Sequence, residues 1–227
     1  MKSFDHIYQR ALNRKGEEGL ASQMPGKPLT SKKLAAIPTD RYLAEMTKCV
    51  FKAGFVWRVI DQKWDGFEEA FWKFNVNRCA YMSFEDIEIL RKDERIIRNP
   101  PKIKSVQANA TMILELEQEY ADQYENFAAL VAQWPDEQFA DLLELLQKRG
   151  SRLGKQTAMY FIRFMGRDGY VIGRDGAAAM IDAGIIDKPP TSKKSWQQVQ
   201  AAFNEWRDET GYNFSTLSRI LAMSIDA

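Results

Sequence analysis

Apolar residues recur along this chain at spacings of three and four almost throughout. Phe67, Ala70, Phe71 and Phe74 fall at i, i+3, i+4 and i+7, the positions that share one face of a helix. Phe139, Leu142, Leu143 and Leu146 repeat the pattern, as do Ala158, Phe161, Ile162 and Met165. Val106, Ala110, Ile113 and Leu114 predict a helix after Pro101, a residue tolerated in a first turn because the N–H it lacks would have no partner there. Trp196, Val199, Phe203 and Trp206 predict another, with Ser195 and Gln198 spaced as a capping box, and Leu217, Ile220 and Leu221 a short last one. Period-two alternation is confined to Tyr170-Val171-Ile172, too short to found a sheet. The expected fold class is all-α.

Proline and glycine punctuate the pattern at Pro25–Pro28, Asn99-Pro100-Pro101, Trp134-Pro135-Asp136 and Lys188-Pro189-Pro190. The expected organisation is a helical extension and linker over 1–37, a main helical domain over 38–190, and a C-terminal helical pair over 191–227 packing on the body. A chain of 227 residues, 45% hydrophobic and 28% charged, has ordinary globular composition and can bury a substantial core. No apolar run approaches the roughly 18 residues that span a bilayer, and Met1–His6 lacks the apolar stretch of a secretion signal. A monomer in the bacterial cytoplasm or on the nucleoid is the expectation. Cys49, Cys79 and the single His6 cannot build a disulfide framework or a four-ligand zinc site, so no metal is expected.

The net charge of +1 conceals a sharp division. Glu115 to Glu144 holds nine acidic residues and no Lys or Arg, whereas Lys148 to Arg174 holds seven basic residues against one acid, Asp168. Two solvated faces of opposite sign would explain this. The basic part, however, contains Leu146-Gln147-Lys148-Arg149-Gly150-Ser151-Arg152-Leu153-Gly154-Lys155-Gln156-Thr157-Ala158, a glycine turn between two amphipathic helices. Glycine lets such a turn take positive φ and lets its backbone approach a partner closely. Unpaired N–H groups at the second helix start, near Gly154, carry the positive end of the dipole and suit a phosphate. With Arg149, Arg152 and Lys155 around them, Gly150 and Gly154 make the pattern of a helix-hairpin-helix over 146–158 that grips a DNA phosphate without reading sequence. An αα-corner with solubilising cations is the plain alternative.

Eight aromatic residues crowd into Phe51, Phe55, Trp57, Trp64, Phe67, Phe71, Trp72 and Phe74. Their period assigns most of them to the core. One or two, Trp57 foremost, are candidates to stack a base, particularly one made cationic by alkylation.

These segments together resemble the DNA-3-methyladenine glycosylase I family of helix-hairpin-helix glycosylases, over roughly Asp40 to Gly173. The resemblance rests on Ala53-Gly54-Phe55-Val56-Trp57, on Gly66-Phe67 through Phe71 and Phe74-Asn75, and on Ile96-Ile97-Arg98-Asn99 followed by Lys102-Ile103 and Asn109-Ala110. Lys148-Arg149-Gly150, Gly154 and Gly166 complete it. It implies a two-lobed all-α fold with a base pocket bordered by Trp57, and Gly54 and Phe55 filling the gap left by a flipped nucleotide. It also implies hydrolysis of the bond between an alkylated purine and deoxyribose, a step of base excision repair. The family's zinc ligands have no counterparts here. Its pocket glutamate falls at Cys49, with Glu45 one helical turn earlier as a substitute. The wider superfamily carries an aspartate at a helix start about 18 residues past the glycine turn, and Asp175, in Gly173-Arg174-Asp175-Gly176, fits that interval. A plain N-cap is its other reading. Bifunctional superfamily members place a nucleophilic lysine before the Thr-Ala of the second hairpin helix. Here Gln156 stands there, with Lys155 one position earlier.

The expected activity is therefore a monofunctional DNA N-glycosylase that acts on double-stranded DNA containing alkylated bases and needs no cofactor. Asp175 or Glu45 would stabilise the cationic sugar. Two other classes fit parts of the pattern: a non-catalytic DNA-binding module, and a helical interaction protein whose acidic 115–144 segment meets a basic partner.

Overall fold

The computed structural model describes residues 3–225, and every regular element among them is helical. In chain order the α-helices are α1 (Phe4–Ala21), α2 (Ser31–Ala35), α3 (Thr39–Lys52), α4 (Trp57–Gln62), α5 (Trp64–Ala70), α6 (Val76–Ala80) and α7 (Phe84–Leu90). Then follow α8 (Pro100–Glu119), α9 (Phe127–Gln133), α10 (Phe139–Arg149), α11 (Lys155–Phe164), α12 (Arg174–Asp182), α13 (Lys193–Thr210) and α14 (Phe214–Met223). None of them is long and apolar enough to cross a membrane.

Packing divides the chain into two compact units, one of residues 30–134 and 143–165, the other of 1–29, 135–142 and 166–227. This differs from the expected division at 37 and 190. The reason lies in α1, whose Phe4, Ile7 and Ala11 form a buried stripe. Phe4 packs on Trp206 of α13, ring centroids 5.5 Å apart, and on Tyr212. The first helix is thus part of a core with α13 and α14 rather than a peripheral extension.

In the same unit Tyr170 is fully buried, stacks on Phe203 at 4.5 Å and donates its hydroxyl hydrogen to Gln200 Oε1. The Tyr170–Ile172 stretch pairs with no strand; it is extended chain whose ring anchors the core. The capping box of α13 is formed by Ser192 and Ser195, three residues before the expected Ser195–Gln198 pair.

The other unit is built on α3 and α8. Tyr42, Leu43, Met46, Cys49 and Val50 make the buried face of α3. The start of α8 is set by Asn99, whose side chain accepts from Lys102 N, with the two prolines in the first turn as expected. Ile103, Val106, Ala110 and Ile113 form its buried stripe. The stripe predicted from Phe67 to Phe74 is not one helix. Helix α5 ends at Ala70, and Trp72, Lys73 and Phe74 take φ of +50°, +55° and +59°, a left-handed turn that returns Phe74 to the core.

Candidate functional site

Helix α3 stops because Gly54, at φ +75°, turns the chain in a direction costly for any residue with a Cβ. The loop that follows stays at the surface: Phe55, Val56 and Trp57 are 40%, 68% and 44% exposed. Behind it lies a cleft of about 560 Å³, within the size range of small-molecule sites. Cys49 and Lys52 of α3, the loop 53–56, and Trp57 line one side; Gln156, Thr157, Tyr160 and Phe164 of α11 line the other. All belong to the unit of residues 30–134 and 143–165. Trp57 meets Tyr160 and Phe164 edge-on at 5.6 and 5.9 Å, and these two stack on each other at 5.7 Å. Four residues named from the sequence, Cys49, Gly54, Phe55 and Trp57, are therefore brought together.

Glu45 does not line the cleft but stands directly behind Cys49, whose Sγ donates to Glu45 Oε1 at 3.6 Å. Burial lifts the Glu45 carboxyl above the ordinary glutamate range, against the pull of Lys48 and of the Cys49 hydrogen bond. The Cys49 thiol is pushed up strongly, first by burial and then by Glu45, so the sulfur that lines the cleft is a neutral thiol at neutral pH, its hydrogen directed to Glu45.

Sequence reasoning missed the cation here. Lys52 Nζ pairs with Asp61 at 2.9 Å and lies 5.2 Å from the Trp57 ring centre. Lys48 pairs with the same carboxylate at 3.0 Å. Hydrogen bonds from Lys52, then Lys48, hold Asp61 below the usual aspartate range. The Trp57 ring, expected to stack on a cationic alkylated base, thus already has a lysine beside it. The spacing of Lys48 and Lys52 on α3 was the available signal.

The turn from α10 to α11 runs over residues 150–154, and Gly150 acts differently from expectation. Gly150 has no positive φ; a Cβ there would sit 2.6 Å from Leu146 O and 2.5 Å from Leu153 Cδ1. It is needed for closure of the hairpin on itself. The left-handed residue is Arg152, at φ +60°, a conformation that costs a non-glycine residue about 1 kcal/mol or more. Buried Asn109 of α8 holds it there: its Oδ1 accepts from Ser151 N at 2.7 Å and its Nδ2 donates to Ser151 O at 3.1 Å. Gly154 is the N-cap of α11, with open space where a Cβ would be, so its backbone can be approached closely. Arg152 is exposed. Arg149, by contrast, is engaged by Glu119 at 2.5 Å and Glu115 at 3.2 Å, pairing the acidic segment with the basic one.

Asp175 lies in the other unit, exposed in the first turn of α12. The N-cap of that helix is Gly173 with no side-chain cap, so Asp175 does not serve as the cap. Its nearest ionic neighbour is Arg174, at 3.8 Å. Among the described residues no group of three or more His, Cys, Asp or Glu could hold a metal ion. Cys49 and Cys79 are both unpaired and buried.

Against known proteins, a family model for methyladenine glycosylases matches residues 39–165. A 3-methyladenine DNA glycosylase I variant solved with 3-methyladenine is 21% identical, with a TM-score of 0.50, covering 71% of this chain and 92% of that one. A Staphylococcus aureus 3-methyladenine DNA glycosylase I variant is 24% identical, covering 69% and 89%, with a TM-score of 0.46. The 8-oxoguanine DNA glycosylase of Thermotoga maritima is 15% identical and covers 96% and 95%, with a TM-score of 0.50. At these identities the structural likeness is one of fold. No curated protein matches the sequence. The family match, which runs from α3 through α11 and takes in more than half of the chain, shows that the protein belongs to the methyladenine glycosylase family, DNA glycosylases acting on alkylated bases.

Proposed function

We propose that this methyladenine glycosylase is a monofunctional hydrolase of alkylated purines in duplex DNA, working as a monomer in the cytoplasm or on the nucleoid. The observation that carries the reading is the cleft: an aromatic-walled space large enough to admit a base, beside an exposed apolar loop and joined through α11 to a basic turn. Rotating a nucleotide out of the stack costs a few kcal/mol, least for a damaged base. Gly54 and Phe55, which line the cleft, are the residues proposed to fill the gap it leaves, with exposed Val56 beside them. The N-terminus of α11, with Gly154, Arg152 and Lys155, is the proposed phosphate contact, with Gly150 closing the turn and Arg149 contributing less because its charge is matched by Glu115 and Glu119.

In the reaction a water oxygen bonds to C1′, its proton passing to a carboxylate or to solvent, while the bond to the base nitrogen breaks and its electron pair leaves with the base. A cationic alkylpurine departs neutral, so little acid catalysis is needed. What remains is stabilising the positive sugar, for which Asp175 and Glu45 are the proposed carboxylates. Gln156 lines the cleft at the position where a lyase would carry its amine, which favours hydrolysis over strand cleavage.

The test is incubation with dimethyl sulfate-treated duplex DNA, measuring released base, binding and strand scission together. Free base without alkali-independent scission is the expected result. Binding without release would make the protein a non-catalytic DNA-binding module. No affinity even at low salt would leave only the interaction-protein reading.

A further inference from the structure

The loop that bounds the cleft is tied to the end of α3 by its own backbone, Phe55 N donating to Lys52 O, and to α8 by one side chain. Helix α3 ends with backbone carbonyls that have no partner within the helix, as any helix does. Two of the carbonyls at this end, Phe51 O and Ala53 O, accept from Lys102 Nζ at 3.1 and 2.7 Å. The same ammonium lies 4.3 Å from the centre of the Phe55 ring. Lys102 is only 6% exposed. Burial lowers its pKa, and the charge of Arg152 adds to the effect. A buried cation near the N-terminus of its own helix is unfavourable against the dipole. Core packing alone would be served by an apolar side chain, so the ammonium is explained by what it holds: the loop backbone and the Phe55 ring together.

Seven residues on, two turns along the same face of α8, Asn109 grips both the N–H and the C=O of Ser151 in the hairpin. One straight helix therefore clamps the exposed loop at one point and the hairpin at another.

We infer that Lys102 and Asn109 are positioning residues through which α8 sets the register between the loop that fills the vacated base position and the hairpin that holds the phosphate. The inference rests on the proposed function. Lys102 does not line the cleft; its role in this reading is to aim Phe55. Its loss should matter where a base must be driven out of a stack and matter little where the base is already out.

The experiment uses an oligonucleotide with a single adenine, methylated with dimethyl sulfate in the duplex, where pairing shields N1, and then re-annealed to a complement that leaves the adenine either paired or in a one-base bulge. Released 3-methyladenine is measured under single-turnover conditions. For Lys102→Met we expect release from the paired site to fall by about tenfold or more, the scale of losing hydrogen bonds to a charged group, with release from the bulge within about threefold of wild type. Asn109→Ala should weaken binding to both duplexes alike. Equal losses at paired and bulged sites in Lys102→Met, or unchanged duplex affinity in Asn109→Ala, would overturn the inference. Should Lys102→Met not fold, Lys102→Arg keeps the charge on a differently shaped head and should show the same asymmetry in weaker form; a symmetric loss there also refutes it. Failure of the wild type to release base from either duplex is a separate result that removes the proposed function as well.

Discussion

The aromatic residues between Phe51 and Phe74 form two groups with opposite fates. Phe51, Phe67, Phe71 and Phe74 are fully buried, and Trp64 lies nearly parallel to Phe67 and Phe74 with centroids 5.4 Å away in each case. Phe55 and Trp57 keep about two fifths of their surface in water. The groups do not differ in composition. They differ in their place relative to Gly54: rings carried by helices, or returned by the left-handed turn at Trp72–Phe74, reach the core, whereas rings just after Gly54 are carried away from it. Adjacent exposed apolar side chains beside a cleft are a surface that the core does not account for.

The strongest way to break this comparison is to truncate one ring from each group. Phe67→Ala should cost about 3–5 kcal/mol, as large cavities in well-packed cores do, and lower the melting temperature severely. Trp57→Ala should leave melting nearly unchanged while slowing release of alkylated base by about tenfold, the scale of one lost stacking contact. Comparable melting losses in the two variants would place Trp57 in the core. The same contrast recurs between carboxylates. Asp175 is exposed and caps nothing, so Asp175→Asn should sacrifice at most the ~0.3–1 kcal/mol of a first-turn charge on a helix dipole. If its charge stabilises the cationic sugar, base release should slow by about tenfold to a thousandfold. Release at the wild-type rate with unchanged melting would transfer the role to Glu45.

Two arginines three positions apart sharpen the comparison further. Arg149 is matched by Glu115 and Glu119, whereas Arg152 is held exposed by the hairpin. Arg152→Ala should weaken binding to every duplex and reduce the slope of log affinity against log salt by about one. Arg149→Ala should change that slope less. Equal slopes for both variants would mean that the ion pairs open on DNA.

Periodicity made the helices legible because a 3.6-residue repeat records which face is buried, and α8, α10, α11, α13 and α14 are read from it directly. It failed at Phe71–Phe74, where a left-handed turn delivers a side chain to the core at a helical spacing by another route. It also passed over Phe4, Ile7 and Ala11, a stripe broken by polar neighbours that identifies α1 as core only once α13 and α14 are beside it. At the site, the aromatic cluster pointed to Phe55 and Trp57, whereas Cys49 and Gly54 came only through the family resemblance; all four line the cleft. Lys52 and Tyr160 were not legible. Their meaning comes from which face of α3 meets which face of α11, and a single sequence does not encode that pairing locally. Lys102 was equally opaque, since a lysine in a first turn ordinarily points to water.

Glu45 provides the smallest effect and the finest test, because it belongs to the buried side of the comparison yet stands behind the cleft. Its folded-state pKa is raised by burial, while in the unfolded chain it titrates near the ordinary ~4.3. As pH rises from about 4, the unfolded state loses its proton first, so this group's contribution to stability is present in acid and is lost as pH climbs through the folded value. Glutamine carries no such proton. Glu45→Gln should therefore melt at or below the wild type near pH 4 and above it near pH 8, by no more than about 2–4 °C, the shift that ~1 kcal/mol produces in a chain of this size. Cys49 does not confound the comparison, since burial and Glu45 keep its thiol protonated across that range. A melting difference flat from pH 4 to pH 8 would mean that water reaches Glu45 in solution. The carboxylate would then be open to the cleft, and its claim to the catalytic role would rise at the expense of Asp175.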